Sequence, residues 1–272
     1  MSSDDERGCA SGIKVGDDME AAELRDEILF KQPESTYLGD CPICCLPLIH
    51  PLETPSYSCC GKRICKACNH ANQKREKEGR LGYKCPFCRH PAPTSEEERK
   101  INHMKRADAN DPFALYQMGI HHHKEGDYKS AFDYLSRAAA LGDVDAHFLL
   151  SYVYRDGRGV EEEKNEKKEL YHLEEAAIAG HVLARSLLAN IEGINGRNDR
   201  AIKHWIIAAN LGDDASLELL KDNYAKGFVA KDDFAAALRG HHAAVNGIKS
   251  PHKEEAGAVR QKMETARAAR QK

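Results

Sequence analysis

Aromatic residues make up only 7% of the 272-residue chain, and Trp205 is its single tryptophan. That scarcity excludes one large aromatic core. Long apolar runs are missing too: stretches such as Trp205-Ile206-Ile207-Ala208-Ala209 fall short of the roughly 18 residues a bilayer-spanning helix needs. The opening Met1-Ser2-Ser3-Asp4-Asp5-Glu6 lacks the basic-then-apolar form of a secretory signal. Neither sign of charge dominates, with 40 Lys+Arg against 43 Asp+Glu and a net charge of −3. Bulk charge therefore argues for neither a histone-like nucleic-acid binder nor an acidic chaperone. Outside residues 41–88 cysteine is almost absent, Cys9 being the exception. A soluble intracellular protein, cytoplasmic or nuclear and off the membrane, is expected.

The other nine cysteines fall as Cys41-x2-Cys44-Cys45, Cys59-Cys60, Cys65-x2-Cys68 and Cys85-x2-Cys88. A dense cluster in a chain without a secretory signal reads as a metal site rather than a disulfide framework. Two residues between thiolates let a tight turn aim both sulfurs at one tetrahedral zinc. Three such pairs and the adjacent Cys-Cys supply eight ligands, enough for two closed, structural sites. A block of about 50 residues with so few aliphatic side chains should draw its folding energy from the metal.

Four further regions surround this block. Residues 1–39 form an acidic, mostly disordered tail, since 1–40 carry eleven acids against four bases; a short helix over Asp18 to Phe30 is the exception. The zinc-binding domain spans 40–90. Pro91-Ala92-Pro93 ends it, and Thr94-Ser95-Glu96-Glu97 has the form of a capping box that starts a connecting helix within 91–106. Helical repeats occupy 107–250, and a C-terminal helix 251–272.

The repeats show as Ala138-Ala139-x2-Gly142, Ala176-Ala177-x2-Gly180, Ala208-Ala209-x2-Gly212 and Ala243-Ala244-x2-Gly247, spaced 38, 32 and 35 residues apart. Four residues past the first three glycines stand Ala146, Ala184 and Ser216, and four further on Leu150, Leu188 and Leu220; Ala114 and Met118 hold the same relation to Asn110. Such a unit predicts paired helices whose second member ends at a left-handed glycine, with small residues allowing close packing. No pair buries its apolar face alone, so stacking builds a narrow continuous core. The run from Ala146 to Val160, through Leu150, Tyr154, Gly157 and Gly159, resembles the Sel-one-like subtype of tetratricopeptide repeats, and the resemblance implies an all-α solenoid that folds without metal.

The cysteine pattern resembles an all-cysteine RING finger. That family's cross-brace implies one zinc on Cys41, Cys44, Cys65 and Cys68, and a second on Cys59, Cys60, Cys85 and Cys88. The sequence departs from the family in placing Cys59 and Cys60 side by side, with Lys62 where a His would stand, so His70 and His90 remain alternatives at the second ion. Cys45 and Cys9 are left as free thiols. The fold class expected is thus a small zinc-stabilised cross-brace module joined to a helical solenoid.

The resemblance implies a RING-type ubiquitin ligase with two zinc ions. It acts without covalent chemistry of its own, recruiting a ubiquitin-conjugating enzyme through Ile43 and Pro86, while Arg89 bridges enzyme and ubiquitin and the repeats hold a substrate or scaffold protein. The Trp that many such fingers carry before the last cysteine pair has no counterpart; Tyr83 is the nearest aromatic. The alternative is a non-enzymatic, zinc-stabilised adaptor. Nine Lys/Arg between 61 and 90 raise nucleic-acid binding, but no aromatic interleaving accompanies them. No Cys-His pair with an orienting partner supports a cysteine nucleophile. His121-His122-His123 and His241-His242 sit at consecutive helical positions that point different ways, which argues against a metal site there.

Overall fold

The structure is a computed structural model that describes residues 23–51, 54–79, 82–159 and 164–248. A helical segment at 23–29 opens it, and the cysteine block contributes one long helix, α1 (Lys66–Glu78). Then follow α2 (Glu96–Ala107), α3 (Pro112–Lys124), α4 (Tyr128–Ala140), α5 (Val144–Asp156), α6 (Glu166–Ile178), α7 (Val182–Ile194), α8 (Asn198–Asn210), α9 (Asp214–Ala225) and α10 (Lys231–Gly247). Helices α3/α4, α5/α6 and α7/α8 pack as pairs, each pair stacks on the next, and α9 and α10 close the array against α8.

The helices start where a short polar side chain satisfies a free N–H. Asp111, Asp143, His181 and Asp213 accept from Ala114, Ala146, Ala184 and Ser216 at the starts of α3, α5, α7 and α9. The small residues expected at the helix crossings are there: Ala114, Ala146, Ala184 and Ser216 are wholly buried, and Met118, Leu150, Leu188 and Leu220 lie beneath them. Gly142, Gly180 and Gly212 adopt positive φ between the second helix of one unit and the first of the next. At Gly180, φ is +91° and a Cβ would come within 2.8 Å of the Ser35 carbonyl oxygen, so both backbone and space require glycine. The fourth Ala-Ala-x2-Gly behaves differently: Gly247 is the last helical residue of α10, without the positive φ of the other three, and Ile248 caps the helix.

The connecting helix is capped by Ser95, whose hydroxyl accepts from the Glu98 N–H at 3.1 Å, while the Glu98 carboxylate reaches back to the Thr94 N–H at 2.7 Å. The box is set one residue later than its sequence form. Helix α2 is no free linker: His103 and Ala107 are buried against α3.

The short helix expected over Asp18 to Phe30 has its described counterpart at 23–29, and the segment 23–38 is docked on the repeats rather than free. Leu29 is 1% exposed and fills a slot among Leu173, Ala176, Ala184 and Leu188, and Phe30 packs on Val182, Ile207 and Leu211. Charge composition foretold disorder, but two adjacent apolar side chains find their complement some 150 residues away. Residues 1–22, Cys9 among them, and the C-terminal helix expected at 251–272 lie outside the described residues. No helix among the described residues is long and apolar enough to cross a membrane.

Candidate metal centre

Three turns of one shape build the cysteine block. Antiparallel bridges join Asp40 to Pro47, Ser56 to Arg63 and Lys84 to Pro91, so each turn closes over the same number of residues. Within them the N–H groups of Cys45, Gly61 and Arg89 donate to the carbonyls of Cys41, Tyr57 and Cys85 at 2.8, 2.7 and 3.0 Å. Those three donors share a left-handed backbone, with φ of +55°, +70° and +60°. Such turns expose N–H groups toward sulfur: Phe87 N–H lies 3.5 Å from the Cys85 Sγ, and Cys65 N–H 3.5 Å from the Cys41 Sγ. The third cysteine pair comes from α1, whose cap is Cys65, its sulfur accepting from the Cys68 N–H at 3.4 Å.

The structure brings Cys41, Cys44, Cys65 and Cys68 together, and separately Cys59, Cys60, Cys85 and Cys88; in each group all four sulfurs lie within 4.8 Å of one another. First and third pairs converge, as do second and fourth. His70 and His90 are in neither group, and Cys45 is exposed and outside both; Cys9 lies outside the described residues. Tetrahedral thiolate coordination at about 2.3 Å would set sulfurs about 3.8 Å apart. The observed separations are 3.9 Å for Cys44–Cys65, 3.6 Å for Cys60–Cys85 and 3.3 Å for Cys59–Cys88. The donor set therefore fits a thiophilic cation in each cluster.

Adjacent Cys59 and Cys60 serve one cluster because the middle turn is offset. Tyr57 stands where the other turns have Cys41 and Cys85, and Cys59 takes the place of Ile43 and Phe87. Gly61 supplies the left-handed residue, and a Cβ there would come 2.0 Å from the Arg106 guanidinium. The Tyr57 hydroxyl donates to the Asn69 side-chain oxygen at 2.9 Å and its ring meets Phe87 edge-on. The sequence signal for this offset is Tyr57 itself, four residues before a glycine, as Cys41 and Cys85 stand four before Cys45 and Arg89.

Electrostatics separate the thiols. Burial alone would raise Cys41, but N–H groups of Cys65, Cys44 and Ile43 aimed at its sulfur bring it down to about 7. Cys59 and Cys68 are pushed up, first by burial and then by neighbouring sulfurs. Four crowded thiols cannot all ionise unless a cation offsets their repulsion.

Of the other residues singled out in the sequence, Ile43 is 45% exposed and Pro86 half-buried. Arg89 is exposed, but its guanidinium lies 4.0 Å from the carboxylate of buried Glu76, which also pairs with Arg75 at 3.0 Å. The consecutive histidines do diverge: His121 is buried against His103 with ring nitrogens 3.2 Å apart, whereas His122 stacks on Tyr134.

The block is docked on the solenoid through groups that no sequence pattern marked. Arg63 pairs with Asp145 at 2.6 Å and lies over the Phe113 ring at 4.5 Å. Tyr37 donates its hydroxyl to the same carboxylate and stacks on His181. Arg106 donates to the Ser58 carbonyl at 3.2 Å and to Asp111 at 2.7 Å.

No curated protein matches the sequence. Among solved structures, a Sel1 repeat protein from Oxalobacter formigenes is 21% identical, over 70% of this chain and 76% of that one, with a TM-score of 0.48. A protective antigen of uropathogenic Escherichia coli with an SLR fold is 22% identical, over 63% of this chain and 37% of that one, with a TM-score of 0.44. The Sel1 repeat family model matches residues 112–143, 144–181 and 197–213. Those segments coincide with α3/α4, α5/α6 and α8, which are accordingly Sel1 repeats within the solenoid.

Proposed function

We propose that this chain is a RING-type ubiquitin ligase or ligase subunit, in which two zinc ions hold the 40–90 module and the Sel1 repeats, a protein-interaction scaffold, hold a substrate or partner. The observation that carries the reading is the alternating convergence of four ligand pairs on two closed clusters. With every position taken by sulfur, zinc would supply folding energy and leave no site for substrate or water.

The chemistry asked of the chain is then positioning. Ile43, exposed at the tip of the first turn, offers apolar contact to a conjugating enzyme, with Pro86 in the third turn, one position before the residue that matches Ile43. Arg89 follows the last ligand, where a cation would hold ubiquitin in the reactive arrangement. Holding the thioester near a substrate lysine raises its effective concentration without covalent participation.

A second reading, a non-enzymatic adaptor, is favoured by one observation: Arg89 is already engaged with Glu76. The test is reconstitution with activating enzyme, a panel of conjugating enzymes, ubiquitin and ATP. Accelerated discharge that Ile43→Ala weakens through recruitment, and Arg89→Ala through the rate of the assembled complex, is the expected result. Inactivity with the whole panel would leave the adaptor.

A further inference from the structure

Beneath the 23–38 segment lies a cation with no evident structural purpose. Arg185, on α7, is wholly buried. Its Nη1 donates to the Leu29 carbonyl and lies 3.4 Å from the Nδ1 of His204. Its Nε and Nη2 have no partner among the described residues. His204 is itself wholly buried, and burial together with the neighbouring Arg185 and Arg200 charges holds it down to about 3, so it stays neutral and offsets none of the guanidinium charge. A fork of five donors that answers one carbonyl and one neutral ring nitrogen is under-used.

The segment above it is seated as a bound peptide would be. Apart from apolar burial of Leu29 and Phe30, it is held through side chains: Arg25 on Glu174 at 2.6 Å, Asp26 on Arg200, and Gln32 accepting from Asn210 at 3.0 Å. Its helical part among the described residues, 23–29, leaves Leu24 57% and Ile28 47% exposed.

We propose that the seat of Leu29 is a binding site for the free carboxyl end of a partner polypeptide whose last residue is apolar, and that residues 25–32 fill it when no such partner is present. The terminal side chain takes the slot among Leu173, Ala184 and Leu188. The terminal carboxylate takes the place of the Leu29 carbonyl, and its second oxygen answers the guanidinium donors that a neutral carbonyl leaves free. A bidentate, charge-assisted pair replaces a single neutral acceptor, so this ligand outcompetes the chain's own segment, which carries an amide at that point. The proposal rests on the reading of the Sel1 repeats as a partner-holding surface and names the class of partner.

The test uses the intact wild-type chain and two labelled octapeptides with the sequence of residues 22–29, Ala-Glu-Leu-Arg-Asp-Glu-Ile-Leu, one ending in a free carboxylate and one in a primary amide. The free acid should bind at least ten-fold tighter by fluorescence anisotropy, and saturation with it should speed amide hydrogen exchange over residues 29–38. Arg185→Lys, which keeps the charge but loses the fork, should erase most of the difference. Equal affinities, absence of binding, or binding that leaves exchange of the segment unchanged would each overturn the proposal, and the peptide pair decides it even if the variant misfolds. A protein partner that binds the repeats and ignores both the acid-to-amide change and Arg185→Lys would preserve the scaffold reading and remove this one.

Discussion

Arg63 and Asp145 form a 2.6 Å ion pair that ties the cysteine block to the first turn of α5, with both side chains largely withdrawn from solvent. Arg63 sits two residues before Cys65 and three after Cys60, so the pair links the two clusters to the repeats through one side chain. Burial acts to raise the Asp145 carboxyl, but His181, Arg63 and Tyr37 together hold it below the ordinary carboxylate range.

Arg63→Met should cost roughly 3–5 kcal/mol at pH 7, because it strands a buried carboxylate. A carboxyl held low in the folded state stabilises above its unfolded pKa and loses that contribution as pH falls. In the variant, Asp145 regains its proton easily on acidification, so the gap from wild type should narrow between pH 7 and pH 4. Urea unfolding at the two pH values reads this directly, and a gap that widens on acidification would contradict the pairing.

Gly180→Val should destabilise by about 2–3 kcal/mol or more, since a β-branched residue is forced to positive φ and its Cβ meets the Ser35 carbonyl. Thermal unfolding followed by helical circular dichroism measures the loss. Faster proteolysis within 23–38 should accompany it.

Two thiophilic ions per chain are expected by native mass spectrometry. Their removal with a strong chelator should unfold residues 40–90 while most helical signal from α3 to α10 persists. Cys59→Ser with Cys60→Ser should leave one ion, held by Cys41, Cys44, Cys65 and Cys68; two ions surviving would bring His70 or His90 into the second cluster.

Acid should destabilise the solenoid through its buried histidines. Burial, with the nearby His121 and Arg106 charges, lowers His103 to about 4; burial and His147 lower His172 to about 4 as well. The unfolded chain binds these protons below about pH 6.5 and the native one resists, so stability is full above that value and falls as pH drops toward 4. By pH 5 each ring costs roughly 2 kcal/mol. His172→Gln should flatten the pH dependence of the urea midpoint, and an unchanged slope would sink the assignment.

Much of this was legible in the sequence where the signal is local. Ala-Ala-x2-Gly marks each helix end because the glycine and the close approach are needed at the same place. The starts were equally visible in Gly142-Asp143, Gly212-Asp213 and Asn110-Asp111, where an acid follows the turn. Gly247 differs, since it ends α10 without the left-handed turn that follows the other three units, and nothing local marks that difference. Cysteine spacing disclosed which cysteines come together, but not that Tyr57 holds the first position of the middle turn. Leu29, Phe30, Arg63 and Asp145 stayed hidden because each takes its meaning from a partner remote in the chain.

The lodging of Leu29 and Phe30 among α6, α7 and α8 also changes what counts as a unit. A fragment cut at residue 107, the border that composition suggests, would bare a greasy notch and an unanswered guanidinium in its middle. Energetic borders and textual borders part company here, and a piece that keeps this core whole must include Leu29 and Phe30, upstream of the very module that precedes the repeats.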